Sequence, residues 1–396
     1  MQKGMNMSAV RAKNRSLILR DLLENGPLSR KDLAASTGLT QASLTQICNE
    51  FLEDGILRET GEVRSETGAG RKKILLEFNR GYQYILAVTI EPEWTRVVLS
   101  DIGGNPSASK RRRTDSSMEA EEWLNLVAQD CLHIEEEAAL AVREKIAGVS
   151  VAVSGRVDEK EGVSVHAYGI WKKEVPVRKI LEGKLGLPVL VENNVDAFAV
   201  AETVFGSGKE DDDLLVIKWG PGVGAAAVIG HELYAGHYRK AAEIGHFIVE
   251  KNGRKCSCGR RGCLETRASY PALSSIVPFE MEDFGITYAR LKKEEPGSAT
   301  LQKIEEAMDL FARTIVNSVT VLAPGRVILC GRMFADERVR RKVIEDCESY
   351  AGKEFGSIVD YTVLAEKEDF IGPVAVYLGK EFLQGGSSLQ LVPQKN

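Results

Sequence analysis

The sequence predicts an α/β protein in three parts: a small helical head with a β-hairpin wing, then two α/β lobes facing each other across a cleft. Three observations lead there. Between residues 13 and 54 apolar side chains recur at helical spacing in three short runs, separated by Asn25-Gly26-Pro27 and Thr37-Gly38-Leu39. Beyond residue 80 the chain twice shows paired strand-like runs, a long helical run and then a further strand-like run. And 396 residues exceed what one ordinary core holds together. The expected divisions are 1–80 for the head, 81–195 for the first lobe and 196–396 for the second, with a C-terminal helix returning to the first lobe.

The head is read element by element. Leu17, Ile18, Leu22 and Leu23 form the stripe of a helix over 13–24. Ser29 caps a second helix over 30–36, and Thr40 caps a third over 41–54. The third helix buries Leu44, Ile47, Cys48, Phe51 and Leu52 and turns Gln41, Ser43, Thr45, Gln46 and Asn49 outward. Two helices joined by a tight glycine-containing turn form a helix-turn-helix, whose second helix enters the major groove of DNA. Strand-like runs at 56–59 and 74–78 flank a polar segment ending in Gly70-Arg71-Lys72-Lys73. This reads as a wing whose Arg71 and Lys72 reach phosphates or the minor groove. The first 80 residues carry 13 Lys+Arg against 10 Asp+Glu, on a chain whose net charge is −5. The alternative is a three-helix module for protein contacts with a merely solvated polar face.

In the body, strands are expected over 84–90 and 96–101, a helix over 118–144 and a strand over 146–153. A hairpin over 214–219 and 224–229 turns through Gly220-Pro221-Gly222-Val223-Gly224, a helix runs over 301–322, and a strand over 326–329 leads into Cys330-Gly331-Arg332. With 43% hydrophobic and 28% charged residues, the composition excludes a disordered chain. No apolar run of about 18 residues appears, which argues against a membrane span. The first residues lack a signal peptide's apolar stretch, so a cytoplasmic location is expected.

Seven cysteines is an odd number, and three lie within 256–263. His246, Cys256, Cys258 and Cys263 supply an imidazole and three thiols within 18 residues, enough to surround one tetrahedral structural Zn2+. Gly253, Gly259 and Gly262 permit the tight turns this needs. Ordinary free thiols are the alternative, and a Cys256–Cys258 disulfide would be strained.

Gly245-His246 with Cys256-Ser257-Cys258-Gly259-Arg260-Arg261-Gly262-Cys263-Leu264-Glu265 resembles the signature of the ROK family, a group of repressors, open reading frames and sugar kinases. Gly148 to Gly155 with Val157-Asp158, Val191-Glu192-Asn193-Asn194 and Gly220 to Gly224 follow in the family's order. The resemblance covers essentially the whole chain. Its winged head places it with the repressors similar to those for xylose and glucose. The resemblance implies an actin/hexokinase-like (ribonuclease H-like) body and assembly as a dimer or tetramer.

The resemblance also shows what has changed. Family kinases carry D-x-G-G-T-K after the opening strand, where this chain has Thr89-Ile90-Glu91-Pro92-Glu93-Trp94. Glu91 and Glu93 are expected to repel a nucleotide. Pro221 interrupts the second phosphate loop, Asn194 stands where the kinases' aspartate base lies, and Cys330-Gly331-Arg332 replaces a triple glycine. No catalytic residue is therefore assigned. Asn193, Asn194, Glu243, His246 and Glu265 match positions that bind sugar hydroxyls in the family. The expectation is a repressor of carbohydrate-utilisation genes that binds operator DNA as a homo-oligomer and responds to a sugar or sugar phosphate between its lobes. Control by a protein partner instead of a sugar, or a surviving sugar kinase, are the alternatives.

Overall fold

The computed structural model describes residues 7–63, 73–209, 211–236 and 241–383. Helix α1 (Met7–Asn25) opens the head, the two-residue strand β1 (Leu28–Ser29) follows, and α2 (Arg30–Thr37) and α3 (Gln41–Glu53) complete the helix-turn-helix. Ser29 and Thr40 cap α2 and α3 by accepting from Asp32 N and Ser43 N, as their side-chain chemistry suggests. Gly38 ends α2 with φ +69°, a left-handed turn that glycine adopts without strain. Strands β2 (Leu57–Val63) and β3 (Lys73–Phe78) pair antiparallel, with β1 on the other side of β3. The expected wing-tip residues Arg71 and Lys72 lie outside the described residues.

The first lobe is built on β4 (Tyr84–Ile90), β5 (Trp94–Asp101), β6 (Pro106–Arg113) and β7 (Ile146–Val153). A small hairpin, β8 (Arg156–Asp158) with β9 (Val163–His166), and strand β10 (Val189–Asn193) follow. The sheet order is β10-β7-β4-β5-β6, with β10, β7 and β4 parallel. The helical run expected over 118–144 is two helices, α4 (Ala120–Glu137) and α5 (Leu140–Arg143), because Ala138 is extended at ψ 143°. Strand β6 escaped the sequence reading for a physical reason. It lies at the sheet edge, and its Ser-Lys-Arg-Arg-Arg run lacks the alternating apolar pattern of a strand with one buried face. Helices α6 (Val177–Leu185) and α7 (Asn194–Val204) were also unforeseen.

The second lobe repeats the plan. Strands β11 (Leu214–Trp219), β12 (Val223–Ile229), β13 (Glu232–Leu233), β14 (Arg326–Cys330) and β15 (Val359–Tyr361) are ordered β13-β12-β11-β14-β15, with β11, β14 and β15 parallel. Helices α8 (Glu265–Ala268), α9 (Tyr270–Ser274), α10 (Phe284–Glu294), α11 (Ala299–Leu322) and α12 (Glu337–Ala351) cover it. Trp219 sits fully buried among Phe284, Phe311 and Phe334. Helix α13 (Ile371–Leu378) crosses back to pack on α7 and against β4 and β7. It continues as a π-helical turn, Gly379–Leu383.

One apolar core runs from the head into the body. Leu19, Leu44 and Phe78 of the head belong to the same cluster as Phe198 of α7, Val374 of α13 and Phe382 of the π-turn. Phe382 meets Phe78 and Tyr82 edge-on at ring separations of 6.0 and 6.2 Å, and Ser16 Oγ of α1 donates to Leu383 O at 2.5 Å. Burial of this kind makes the head a packed part of the molecule, in contrast to a bead on a linker.

Candidate functional site

On the head, α3 presents Gln41, Thr45, Gln46 and Asn49 to solvent, with Ser43 half-buried. Two of these side chains are held. Gln46 Nε2 donates to Glu50 Oε1 at 3.2 Å, and Asn49 Oδ1 accepts from Arg30 at 3.1 Å. Glu50 shares this face of α3, and Arg11 and Arg15 of α1 bind it at 2.7 and 3.1 Å. The carboxylate that would oppose phosphate is thereby paired.

In the second lobe, the thiol cluster closes as its spacing suggests. The ligand atoms of His246, Cys256, Cys258 and Cys263 all lie within 4.8 Å of one another. The Cys258 and Cys263 sulfurs are 3.7 Å apart, and Cys256 Sγ is 3.6 Å from His246 Nδ1. Ligands on a tetrahedron around zinc, with bonds of about 2.3 Å to sulfur and about 2.0 Å to nitrogen, would be separated by about 3.8 and 3.5 Å. The donor set therefore fits a metal of that size. Gly262 is required here: its φ is +77°, and a Cβ would come within 1.8 Å of Glu250 O. Burial raises the Cys258 thiol, but the Arg260 guanidinium and the neighbouring thiols outweigh it and bring it to about 7.

Between the lobes lies a cavity of about 360 Å³. Its floor is made by the carboxyl ends of the parallel strands, where open α/β sheets place their ligands. Strand β4 leads into Glu91 and β7 into Ser154, β10 ends at Asn193, and the β11–β12 turn brings Gly220 to Gly224 to the same cavity. Gly155 is essential to this floor, since a Cβ there would come within 2.1 Å of His166 O and its φ is +105°.

Asn193, Asn194, Glu243, His246 and Glu265 all line this cavity. Their side chains are not equally free. Asn193 caps α7, its Oδ1 accepting from Val195 N and Asp196 N at 2.7 and 2.9 Å, while its Nδ2 donates to Gly155 O at 2.5 Å. One amide hydrogen remains for a ligand. His246 divides its two nitrogens: Nδ1 faces Cys256, and Nε2 lies 3.4 Å from Glu243 Oε2 at the cavity. Glu265 is pushed up to about 7, by burial first and then by Cys258 and Glu243. It can therefore donate or accept a hydrogen bond near neutral pH.

Glu91 and Glu93 do not stand as free carboxylates facing a nucleotide. Glu91 Oε1 accepts from Lys218 Nζ at 2.7 Å and from Asn194 Nδ2 at 2.9 Å. Lys218 also pairs with Glu368 at 3.1 Å, and Glu368 Oε2 accepts from Gly331 N at 3.1 Å. Arg332 bridges Glu93 and Glu282. Burial would raise the Glu91 carboxyl, yet Lys218 and Asn194 hold it below its ordinary value; Glu91 and Glu368 likewise raise Lys218 against burial. Ion pairs thus span the two lobes at the edge of the cavity.

The sequence reading missed Lys218, Glu368, Arg156 and Tyr168. Lys218 left a signal, being a lone cation inside the apolar run Leu214–Trp219. Arg156 and Tyr168 left none.

Comparison with known proteins follows the same division. The ROK family model matches residues 95–377, and a winged helix-turn-helix DNA-binding model matches residues 11–58. The xylose repressor of Bacillus subtilis (strain 168) is 27% identical over 264 residues, 67% of this chain and 67% of that protein. The DNA-binding transcriptional dual regulator NagC of Escherichia coli (strain K12) is 25% identical over 358 residues, 86% of each chain. Among solved structures, a ROK family transcriptional regulator described as a homolog of the E. coli MLC protein superposes with a TM-score of 0.76 at 19% identity, over 95% of this chain and 98% of that one. A ROK hexokinase from Thermus thermophilus reaches 0.61 at 22% identity, over 76% and 99%. At these identities the solved structures establish a shared fold.

Proposed function

The chain belongs to the ROK family, and from that premise we propose that it is a DNA-binding repressor of carbohydrate-utilisation genes, controlled by a sugar or sugar phosphate bound between its lobes. The observation that carries this reading is the single apolar core joining an operator-reading head to a body with a polar interlobe cavity. Regulation requires that a ligand in the body alter the head, and a packed connection supplies the route. Asn193 caps α7 at the cavity, α7 packs on α13, and the π-turn after α13 holds α1. A sugar that prefers one lobe arrangement shifts the heads through this series; equal affinity for both arrangements would shift nothing.

In this reading the protein acts in the cytoplasm as a homo-oligomer, its paired heads gripping two operator half-sites. Gln41, Ser43, Thr45, Gln46 and Asn49 read bases, while Arg71 and Lys72 of the wing contact the backbone or minor groove. Gln46→Ala or Asn49→Ala is expected to relax base preference by about 1–3 kcal/mol if the contact is bidentate. Competition binding with operator variants checks this, and unchanged discrimination would remove α3 from the recognition role.

Zinc is the metal proposed for His246, Cys256, Cys258 and Cys263, with a structural role because four protein ligands leave no open position. It would fix the loop that brings Glu243, His246 and Glu265 to the sugar. No helix among the described residues is long and apolar enough to cross a membrane.

Phosphoryl transfer is proposed to be lost. Asn194 cannot take a proton from an attacking hydroxyl, and its amide is committed to Glu91. Lys218 and Arg332, cations that could face phosphate, are neutralised by glutamates. Restoring an acid with Asn194→Asp is therefore expected to give no ATP turnover. It would also set a second carboxylate beside Glu91, lowering stability by about 1–3 kcal/mol. A coupled ATPase assay and thermal denaturation test both parts.

The deciding experiment is fluorescence anisotropy of the protein on DNA from upstream of its own gene, at stated salt, against a panel of sugars and sugar phosphates. Release by one sugar establishes the inducible repressor. Tight binding indifferent to every sugar transfers control to a protein partner.

A further inference from the structure

A second cavity, of about 580 Å³, lies outside the first and shares a wall with it. Arg156, Tyr168, Glu243 and His246 line both. The two spaces therefore meet at one junction, formed by β8 and the turn after β9 on one lobe and by the His246 segment on the other. Tyr168 stands at that junction. Its ring lies edge-on to His166 at 4.3 Å and to His246 at 5.6 Å, spanning from the first lobe to the second.

The chemistry of the two cavities differs. The inner one offers amides, carboxyls and an imidazole, groups that match the hydroxyl rim of a pyranose. The outer one adds Phe247, Val321 and Leu322, apolar side chains of which Val321 is 81% exposed and Phe247 42% exposed. Two guanidiniums, Arg156 and Arg260, also line it, and among the described residues that of Arg156 has no ion-pair or hydrogen-bond partner. The C–H face of a sugar ring packs on such apolar and aromatic surface, while its ring and hydroxyl oxygens accept from a guanidinium. The inner cavity alone is at the low end of the range for small-molecule sites, about 300–1,000 Å³, and the outer one more than doubles it.

Resting on the sugar-responsive reading above, we infer that the effector is a neutral glycoside of two units, a disaccharide. The first ring occupies the inner cavity and the second the outer one, with the glycosidic link passing Tyr168 and Arg156. A phosphorylated monosaccharide fits less well. Arg156 and Arg260 would attract its phosphate, but that group would leave most of the outer cavity empty and the apolar wall of Phe247, Val321 and Leu322 uncovered, and Glu243 at the junction would oppose its charge.

The test is isothermal titration calorimetry on the full-length protein, with each monosaccharide matched to its disaccharide and its 6-phosphate where one exists. The pairs xylose and xylobiose, glucose and cellobiose, and N-acetylglucosamine and chitobiose serve as probes. One disaccharide is expected to bind about tenfold or more tightly than its monosaccharide and its phosphate. Val321→Trp, at an exposed position where folding tolerates bulk, fills the outer cavity and should collapse that ratio toward one; Phe247→Ala should reduce it. A monosaccharide or its phosphate binding as tightly as any disaccharide, with Val321→Trp without effect, overturns the inference and leaves the sugar-responsive reading intact. A change in oligomeric state with Val321→Trp and no change in the ratio overturns it too, and assigns the face to contact between copies. If no sugar of either size binds protein that still holds its operator, the underlying reading fails as well.

Discussion

Cys256→Ser is expected to abolish binding of the zinc proposed for this site and to lower stability by on the order of 3–5 kcal/mol. Cys256 is buried and lies 3.6 Å from His246 Nδ1, so its loss breaks the tetrahedron at the ligand nearest the imidazole. A hydroxyl is a poor substitute, because zinc binds the thiolate and serine does not ionise at neutral pH. The effect should reach the cavity, since His246 then has no metal to fix its Nδ1 and its Nε2 loses its orientation toward Glu243. Metal content by elemental analysis, thermal denaturation and sugar binding should therefore fall together. Undiminished zinc content with an unchanged melting temperature would show that these four residues do not hold the metal.

Phe382→Ala is expected to uncouple the head from the body. Truncating a buried phenylalanine costs about 3–5 kcal/mol, and here the cavity opens between Phe78 and Tyr82 of the head side and α13. The body's own cores, around Trp219 and around Trp123, contain no part of that contact. Sugar binding by calorimetry should thus persist while the sugar-dependent release of operator weakens. Phe382→Leu, which keeps much of the volume, should restore part of the coupling. Operator release identical to that of the unmodified protein would mean that the signal bypasses the π-turn, for instance through contacts between copies.

Legibility in the sequence followed the range of the interactions. Each head helix carries its own caps and stripe within a dozen residues, so Ser29, Thr40 and the face bearing Gln46 and Asn49 could be placed without any partner. The cluster of His246, Cys256, Cys258 and Cys263 was equally plain, because three thiols in eight residues can reach one point whatever surrounds them. Helix α7 was not legible: Asn-Val-Asp-Ala-Phe-Ala-Val-Ala-Glu-Thr-Val is apolar nearly all round, since both lobes cover it, and shows no amphipathic stripe. Strand β6 failed for the opposite reason, being polar on both faces.

The residue types at 89–94, 194, 220–224 and 330–332 could be set against those of family kinases in sequence alone, but their meaning in space could not be read there. Glu91 and Lys218 are 127 residues apart, and Glu93 and Arg332 are 239 apart. Side chains that distant have no local spacing to betray them, and only the closing of two sheets across one cleft turns four isolated charges into pairs. The same holds for Phe382 and Phe78, and for the cavity wall shared by Tyr168 and His246. Backbone capping, turn and ligand chemistry act over a few residues and are written in the chain's local order; electrostatic pairing and cavity shape act through space, and the packed fold alone decides them.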